Sequence, residues 1–284
     1  MSNAYKLSYY AWITQGIPAV QIEAAVEKFA TALATELNKS DPGATVTVQM
    51  YPDVPPQIAA VIGEERHIAL INPLGLVFAT RSSKNVNAVA VALRKDAVTG
   101  DIGPFYRAQI YTANPAVQSL ADIKGRSMGF GSPISTSNFL FPANLLKTKH
   151  LLWFTSSLNF LGGHPQVAMA VYAGKIDVGA GHDGVILDLA TQPGYQDAEQ
   201  KLRRICWIES LPSDPVAVNI PDDNERQRVA EALVRVGQDP AVIQQAISIF
   251  WGGSTGLAAT TTRAYNPIVT VLQDLALTQS DLSN

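Results

Sequence analysis

Charge is scarce in this sequence. Of its 284 residues only 16% are Asp, Glu, Lys or Arg, against 47% hydrophobic, and 21 basic residues face 24 acidic ones for a formal net charge of −3. Without clustered Lys and Arg, nucleic acid is excluded as a partner, because phosphate-backbone affinity rests on such clusters. The large apolar fraction and small net charge exclude disorder. Cysteine is nearly absent. The single Cys206 rules out an intramolecular disulfide or a cysteine metal cluster, and its apolar setting, Ile205-Cys206-Trp207-Ile208, predicts a buried, inert thiol. With four histidines and no i, i+4 pair on one helix, no metal centre is expected, and no cofactor either. Long apolar runs are missing as well: residues 87–93 form one of the longest, well short of the ~20 residues that a spanning helix needs. Nor does a basic region followed by an apolar one open the chain. Ser2-Asn3-Ala4 resembles a cloning remnant, so a leader removed upstream is compatible with the reading.

What is present is a repeated alternation. Residues 5–13 alternate as a strand, and 18–38 place Val20, Ala24, Phe29, Leu33 and Leu37 at helical spacing. Strands are predicted at 45–50, 67–72 and 86–94, with helices at 55–63 and 74–82 between them. The pattern then restarts, with strands at 107–113, 127–131, 158–161, 176–180, 202–209 and 216–219. Helices are predicted at 137–149, 165–173 and 184–191, and the chain from Asp222 onward reads as helical. Strands separated by helices predict an α/β fold with mainly parallel sheets flanked by helices. Its length suits two lobes, residues 4–104 plus 212–284 and residues 105–211, joined by crossovers near 103–105 and 209–215. Ligands of open α/β sheets sit at the carboxyl ends of strands, in the crevice.

Four segments at strand ends carry chemistry. Gly131-Ser132-Pro133-Ile134-Ser135-Thr136-Ser137-Asn138 puts three hydroxyls in a row at a helix start. A cap needs one; the others, with the free helix amides, can cradle an anion without Lys or Arg. Pro142 is tolerable only near a first turn, which predicts a helix beginning close to Ser137. Gly162-Gly163-His164-Pro165 places a histidine at another helix start. Gly179-Ala180-Gly181-His182-Asp183-Gly184 ends a strand, with Asp183 either a ligand contact or the next helix's cap, and Leu211-Pro212-Ser213-Asp214-Pro215 lies at the second crossover.

Taken in order, these segments resemble the solute-binding components of phosphate, phosphite and phosphonate ABC transporters. Ser119-Leu120-Ala121-Asp122-Ile123-Lys124-Gly125-Arg126 is similar to the family's "sL-DLKGk", and Ser135-Thr136-Ser137-Asn138-Phe139-Leu140-Phe141-Pro142 to "STSG-l-P". Gly163-His164 matches "g-H", Ala173-Gly174-Lys175-Ile176-Asp177-Val178-Gly179-Ala180 matches "a-G-vDaga", and Leu211-Pro212-Ser213-Asp214-Pro215 resembles "iP-dP". The resemblance implies a two-lobed type II periplasmic binding fold with two hinge crossovers, closing on a small phosphorus oxyanion. It implies that Ser135, Thr136 and Ser137, with Asn138 beside them, hold the phosphoryl oxygens. His164 would help, and Asp214 would pair with a ligand proton or amine. It further implies a non-catalytic, monomeric, periplasmic or lipid-anchored component that serves the membrane subunits of an ABC importer.

The sequence also departs from the pattern. Asp53 is followed by Val54 where the family has a tyrosine, and Phe105 replaces a crossover tyrosine, with Tyr106 adjacent. The fourth "STSG" position is Asn138, and Gly184 stands where the phosphonate-specific branch has an acidic residue, with His182 and Asp183 just before it. Trp12, Tyr9 and Tyr10 are expected to refill the cleft. A ligand-sensing receptor domain of the same fold is the alternative. Ser135, His164 and Asp183 or Asp214 are also hydrolase residue types, but a Gly-x-Ser-x-Gly elbow is lacking.

Overall fold

The structure is a computed structural model that describes residues 3–282 except 15, 153 and 154, and all of Glu209 but its side chain. Residues 1, 2, 15, 153, 154, 283 and 284 lie outside the described residues.

Three strand–helix repeats open the chain. They are β1 (Ala4–Tyr10) and α1 (Ala19–Leu37), β2 (Thr45–Tyr51) and α2 (Val54–Gly63), β3 (His67–Leu70) and α3 (Pro73–Ser82), and β4 (Val86–Lys95) follows. Along α1, Ile22, Val26, Phe29, Leu33 and Leu37 are buried, a stripe at intervals of three and four. Asn72 starts α3 by accepting the Gly75 N–H at 2.6 Å, with Pro73 at the first helical position. After the short β5 (Ile102–Gly103) come β6 (Phe105–Thr112), β7 (Ser127–Phe130), and a π-helical turn, Thr136–Leu140, that runs into α4 (Phe141–Thr148). Next are β8 (Ser157–Phe160), α5 (His164–Tyr172), β9 (Val178–His182), α6 (Val185–Ala190), α7 (Ala198–Lys201) and β10 (Arg203–Pro212). β11 (Pro215–Asn219), α8 (Asp223–Val236), β12 (Gly256–Ala259) and the helix Asn266–Leu275 carry the chain to its end.

Two compact units result. Unit 1 comprises Met1–Asp96, Gly100–Phe105 and Pro212–Asn266; unit 2 comprises Ala97–Thr99, Tyr106–Leu211 and Pro267–Asn284. In unit 1 the strands run β12-β4-β11-β3-β1-β2, with β5 on β4. β1 pairs in parallel with β2 and β3, as strand–helix repeats require. β11 and β12 enter after the chain returns from unit 2, and they lie antiparallel to their neighbours. Ala88 through Ala92 of β4 are all buried, the continuous apolar run of a strand covered on both faces.

β12 corrects the expectation of helix throughout from Asp222. Gly256-Leu257-Ala258-Ala259 lacks β-branched residues and alternation, so only its ladder with β4 reveals it as a strand.

In unit 2 the order is β10-β6-β9-β7-β8, with β7 parallel to β8 and β9 and with β6 antiparallel to β9. The pleat of β6 splits the core: Tyr106, Ala108 and Ile110 pack on one face with Met128, Phe130 and Leu146, whereas Tyr111 packs on the other with Val167, Val171 and Val185. Cys206 packs against the first of these clusters, and burial pushes its thiol above the ordinary value, which disfavours the thiolate. Residues 267–282 go with unit 2, whereas the sequence reading has them in the first lobe. Leu275 packs against the unit 2 core, and the Lys147 ammonium donates to the Asp274 carbonyl.

Two sequence motifs turn out to be braces. Ser119 and Asp122 form a capping box around the 3-10 turn Leu120–Ile123, and Gly125 follows with φ of 77°, a left-handed position that glycine tolerates best. Asp177 accepts from Ser127 N–H (3.0 Å), Ser127 Oγ–H (2.8 Å) and Asn114 Nδ2–H (2.8 Å), tying the entry of β9 to that of β7. Burial works against the Asp177 charge, but these donors outweigh it and hold the carboxyl below its ordinary value.

Unit 1 contains a titratable group of a different kind. His67 is fully buried, with Nε2 at 2.7 Å from Ser8 Oγ. Burial, only partly opposed by Glu64, lowers its pKa to about 4 from the ordinary 6.5. Below pH 6.5 the unfolded chain therefore binds a proton that the folded one refuses, so stability complete above that pH is lost as pH falls towards 4. The loss by pH 4 is on the order of 3 kcal/mol. Thermal melts from pH 7 to 4.5 are expected to fall more steeply for the wild type than for His67→Gln; equal slopes would rule His67 out as the cause.

Candidate functional site

The hydroxyl run occupies an unusual turn. Ser135 is the cap, with Oγ accepting the Asn138 N–H at 3.1 Å, and the Leu140 N–H reaches back five residues to the Ser135 carbonyl at 3.0 Å. This is a π-helical turn at Thr136–Leu140, where the sequence predicts an α-helix from Ser137. Pro142 then falls in the first turn of α4, where its missing N–H costs little. Ser135, Thr136, Ser137 and Asn138 are all buried.

Two polar atoms in this turn lack a protein partner. Thr136 Oγ1 and Asn138 Nδ2 are buried with no hydrogen bond among the described residues. Such an arrangement costs free energy unless something else satisfies them. The Asn138 amide is fixed from its other side, where Oδ1 accepts the Gly131 N–H at 2.7 Å. The fourth motif position, glycine in the family pattern, is thus a structural clamp here.

Gly131 makes the clamp feasible. A Cβ there would sit 2.5 Å from Asn138 Nδ2 and 3.2 Å from the backbone carbon of Gly163. The π turn, the end of β7 and the approach to α5 therefore meet at one point. Gly163 caps α5, and His164 is its first residue.

His164 has its ring centroid 4.6 Å from that of His182 at the end of β9, tilted by 76°. Its Nδ1 faces the His182 backbone N–H at 3.4 Å, which leaves the ring proton of a neutral His164 on Nε2. Burial first, and His182 second, push its pKa well below the ordinary value. His164 is thus a neutral imidazole, next in sequence to the Gly163 backbone that meets the π turn across Gly131.

His182 is held differently. Its Nε2 lies 3.1 Å from Asp188 Oδ2, and its Nδ1 lies 3.8 Å from Asp183 Oδ1. Burial opposes its charge, but the two carboxylates together outweigh burial and raise the pKa to about 9. The Gly184 N–H facing Nδ1 at 3.1 Å favours the neutral ring, so Nε2 keeps its proton in either state and donates it to Asp188. Asp183 does not cap α6, whose cap is Gly184 without a side-chain bond. Instead Asp183 Oδ2 accepts the Arg107 N–H at 3.3 Å.

The remaining expected residues lie elsewhere. Tyr106 is buried in the unit 2 core. Four belong to unit 1. Tyr10 is buried edge-on to Trp12 at 4.6 Å, and Trp12, in the turn after β1, donates from Nε1 to Asp53 Oδ1 at 2.9 Å. The Phe105 ring lies over Gly103, where a Cβ would come within 2.2 Å of it. Asp214 Oδ2 accepts from Arg94 Nη2 at 2.9 Å, and Arg94 Nη1 donates to the Gly252 carbonyl at 2.7 Å. The carboxylate expected to meet a ligand proton or amine is thus already ion-paired. Sequence reasoning missed Arg94, which reads as the end of a strand, and Asp188, an acidic residue on a short helix with no motif around it.

A family model described as "ABC transporter, phosphonate, periplasmic substrate-binding protein" matches residues 13–265. Solved structures agree on the fold. A binding protein component of an ABC phosphonate transporter from Pseudomonas aeruginosa is 17% identical with a TM-score of 0.72, covering 97% of this chain and 87% of that one. PhnD1 from Prochlorococcus marinus, in complex with methylphosphonate, is 14% identical with a TM-score of 0.74, covering 96% and 98%. XAC2383 from Xanthomonas citri, bound to ATP, is 14% identical with a TM-score of 0.73, covering 100% of both. The fold is that of the two-lobed periplasmic binding proteins.

Proposed function

The chain belongs to the family of periplasmic substrate-binding proteins of phosphonate ABC transporters, and from that premise we propose that it captures a small phosphorus oxyanion, namely a phosphonate, phosphite or phosphate. The family is one of extracytoplasmic transport components rather than enzymes. In this proposal the protein is a monomer, free in the periplasm or lipid-anchored, that hands its ligand to the membrane subunits of the importer. Capture would close the two units over the ligand by hinge motion where the chain passes between them.

The observation that carries the reading is the pair of buried, unpartnered donors, Thr136 Oγ1 and Asn138 Nδ2, on a turn that also holds Ser135 and Ser137. Hydroxyl and amide donors suit a phosphoryl group, whose oxygens accept several charge-assisted hydrogen bonds at once. Neutral donors also avoid burying an unpaired cation when the site is empty. His164 adds a neutral N–H, and the helix formed by the π turn and α4 adds the positive end of its dipole. The methylphosphonate in the Prochlorococcus marinus neighbour belongs to the same ligand class.

Thermal shift with phosphate, phosphite, methylphosphonate and 2-aminoethylphosphonate tests the proposal. At about 100-fold excess over Kd, binding to the folded state adds about 2.7 kcal/mol, an increase in Tm of roughly 5 °C or more. No shift with any of the four would remove the oxyanion reading. Closure is checked by a smaller radius of gyration with the ligand that shifts Tm.

A further inference from the structure

The hydroxyl turn offers donors and few acceptors. Asn138 Nδ2 can only donate, and its orientation is fixed because Oδ1 of the same amide accepts the Gly131 N–H at 2.7 Å. Ser135 Oγ accepts the Asn138 N–H at 3.1 Å, which leaves its own O–H to give. Thr136 Oγ1, buried without a partner, can take either part. Among the described residues no carboxylate is hydrogen-bonded to Ser135, Thr136, Ser137 or Asn138. Asp214, the carboxylate that the sequence reading assigns to a ligand proton, is engaged within unit 1, where Arg94 Nη2 donates to it at 2.9 Å.

We infer that this turn selects a tetrahedral oxyanion by its lack of a proton rather than by its central atom, so that sulfate is a ligand alongside doubly ionised phosphonates. The inference rests on the oxyanion reading above and widens its ligand class to sulfur oxyanions. Phosphate and sulfate are similar in size and shape, but at neutral pH phosphate keeps at least one proton and sulfate keeps none. A site with a buried carboxylate facing the phosphate hydroxyl rejects sulfate by roughly 10,000-fold or more, because that carboxylate then meets a bare oxygen. A turn of donors carries no such penalty. The bare oxygens of sulfate can accept from Asn138 Nδ2 and Thr136 Oγ1 as those of a phosphonate can. The positive end of the helix formed by the turn and α4 favours either anion. A protonated phosphate oxygen is the misfit, since at Asn138 Nδ2 it sets donor against donor.

Calorimetry with sulfate, phosphate and methylphosphonate at neutral pH tests this on the wild type and on Asn138→Asp. In the wild type, sulfate is expected to displace methylphosphonate from one shared site and to bind within about tenfold of phosphate or more tightly. Asn138→Asp keeps an oxygen for the Gly131 N–H and turns the donor beside it into an acceptor. In that variant sulfate is expected to lose at least about 100-fold against phosphate, which has a proton to give the new carboxylate oxygen. Sulfate that fails to displace methylphosphonate from the wild type, or that binds more than about tenfold more weakly than phosphate, overturns the inference whether or not the variant folds. So does an unchanged ratio in a folded Asn138→Asp. Each of these outcomes leaves the oxyanion reading standing. Failure of phosphate, phosphite, methylphosphonate and 2-aminoethylphosphonate alike to bind the wild type removes that reading and this inference with it.

Discussion

Replacing Thr136 with Val is expected to weaken oxyanion binding by about 10- to 100-fold while making the unliganded protein more stable. The two effects have one cause. Thr136 Oγ1 is buried without a partner, and an unsatisfied buried hydroxyl costs roughly 1–3 kcal/mol. Valine keeps the shape and removes that penalty, so the unliganded Tm is expected to rise by several degrees. Once a phosphoryl oxygen accepts from the hydroxyl, the same atom supplies a hydrogen bond to a charged group, worth roughly 1.5–3 kcal/mol. Calorimetry gives Kd, and scanning calorimetry with and without ligand gives the stability. Unchanged affinity, or lower unliganded stability, would show that Thr136 is an ordinary packing residue.

The second large effect is expected at Gly131→Ala. Overpacking of this kind costs roughly 1–3 kcal/mol, and the added carbon has nowhere to go. Asn138, 2.5 Å away, is itself buried, and the Gly163 backbone stands at 3.2 Å on the other side. If Asn138 swings away to make room, it releases the Gly131 N–H and lets go of the π turn, so binding is expected to fall more than about tenfold alongside stability. Gly129→Ala is the control. Two residues earlier on β7, its Cβ would meet only side-chain atoms of Ile176, Val167 and Leu161, at 3.2–3.5 Å, which can give by a few tenths of an ångström. Binding is expected to survive there. If Gly131→Ala destabilises without weakening binding, Asn138 is not the link between the two.

These residues also mark how far the sequence could be read. The strand–helix alternation and the hydroxyl run were legible because both are local: periodicity and cap chemistry are written in neighbouring residues. The resemblance to transporter components was legible in its ordered motifs, although two of those motifs brace the fold instead of meeting a ligand, Ser119 with Asp122 and Asp177 with Ser127. Pairings across the chain were not legible. Arg94 reaches Asp214 over 120 positions, and nothing in either neighbourhood announces it. Asn138 looked like a departure from the family pattern because its partner, the Gly131 amide, lies on a different element. Asp188 shows its role only once α6 turns it towards His182. The π turn escaped because the apolar spacing of five residues cannot distinguish it from an α-helical turn.

That turn has a consequence for how such proteins diversify. A π turn is an α-helix carrying one surplus residue, and each residue of an α-helix advances the screw by about 100°. Deleting one residue from Thr136–Leu140 would therefore rotate the cap and its hydroxyls by about that angle against α4, while the downstream helix kept its seat. A three-nucleotide deletion in the gene would thus re-aim the whole hydroxyl cap in one step.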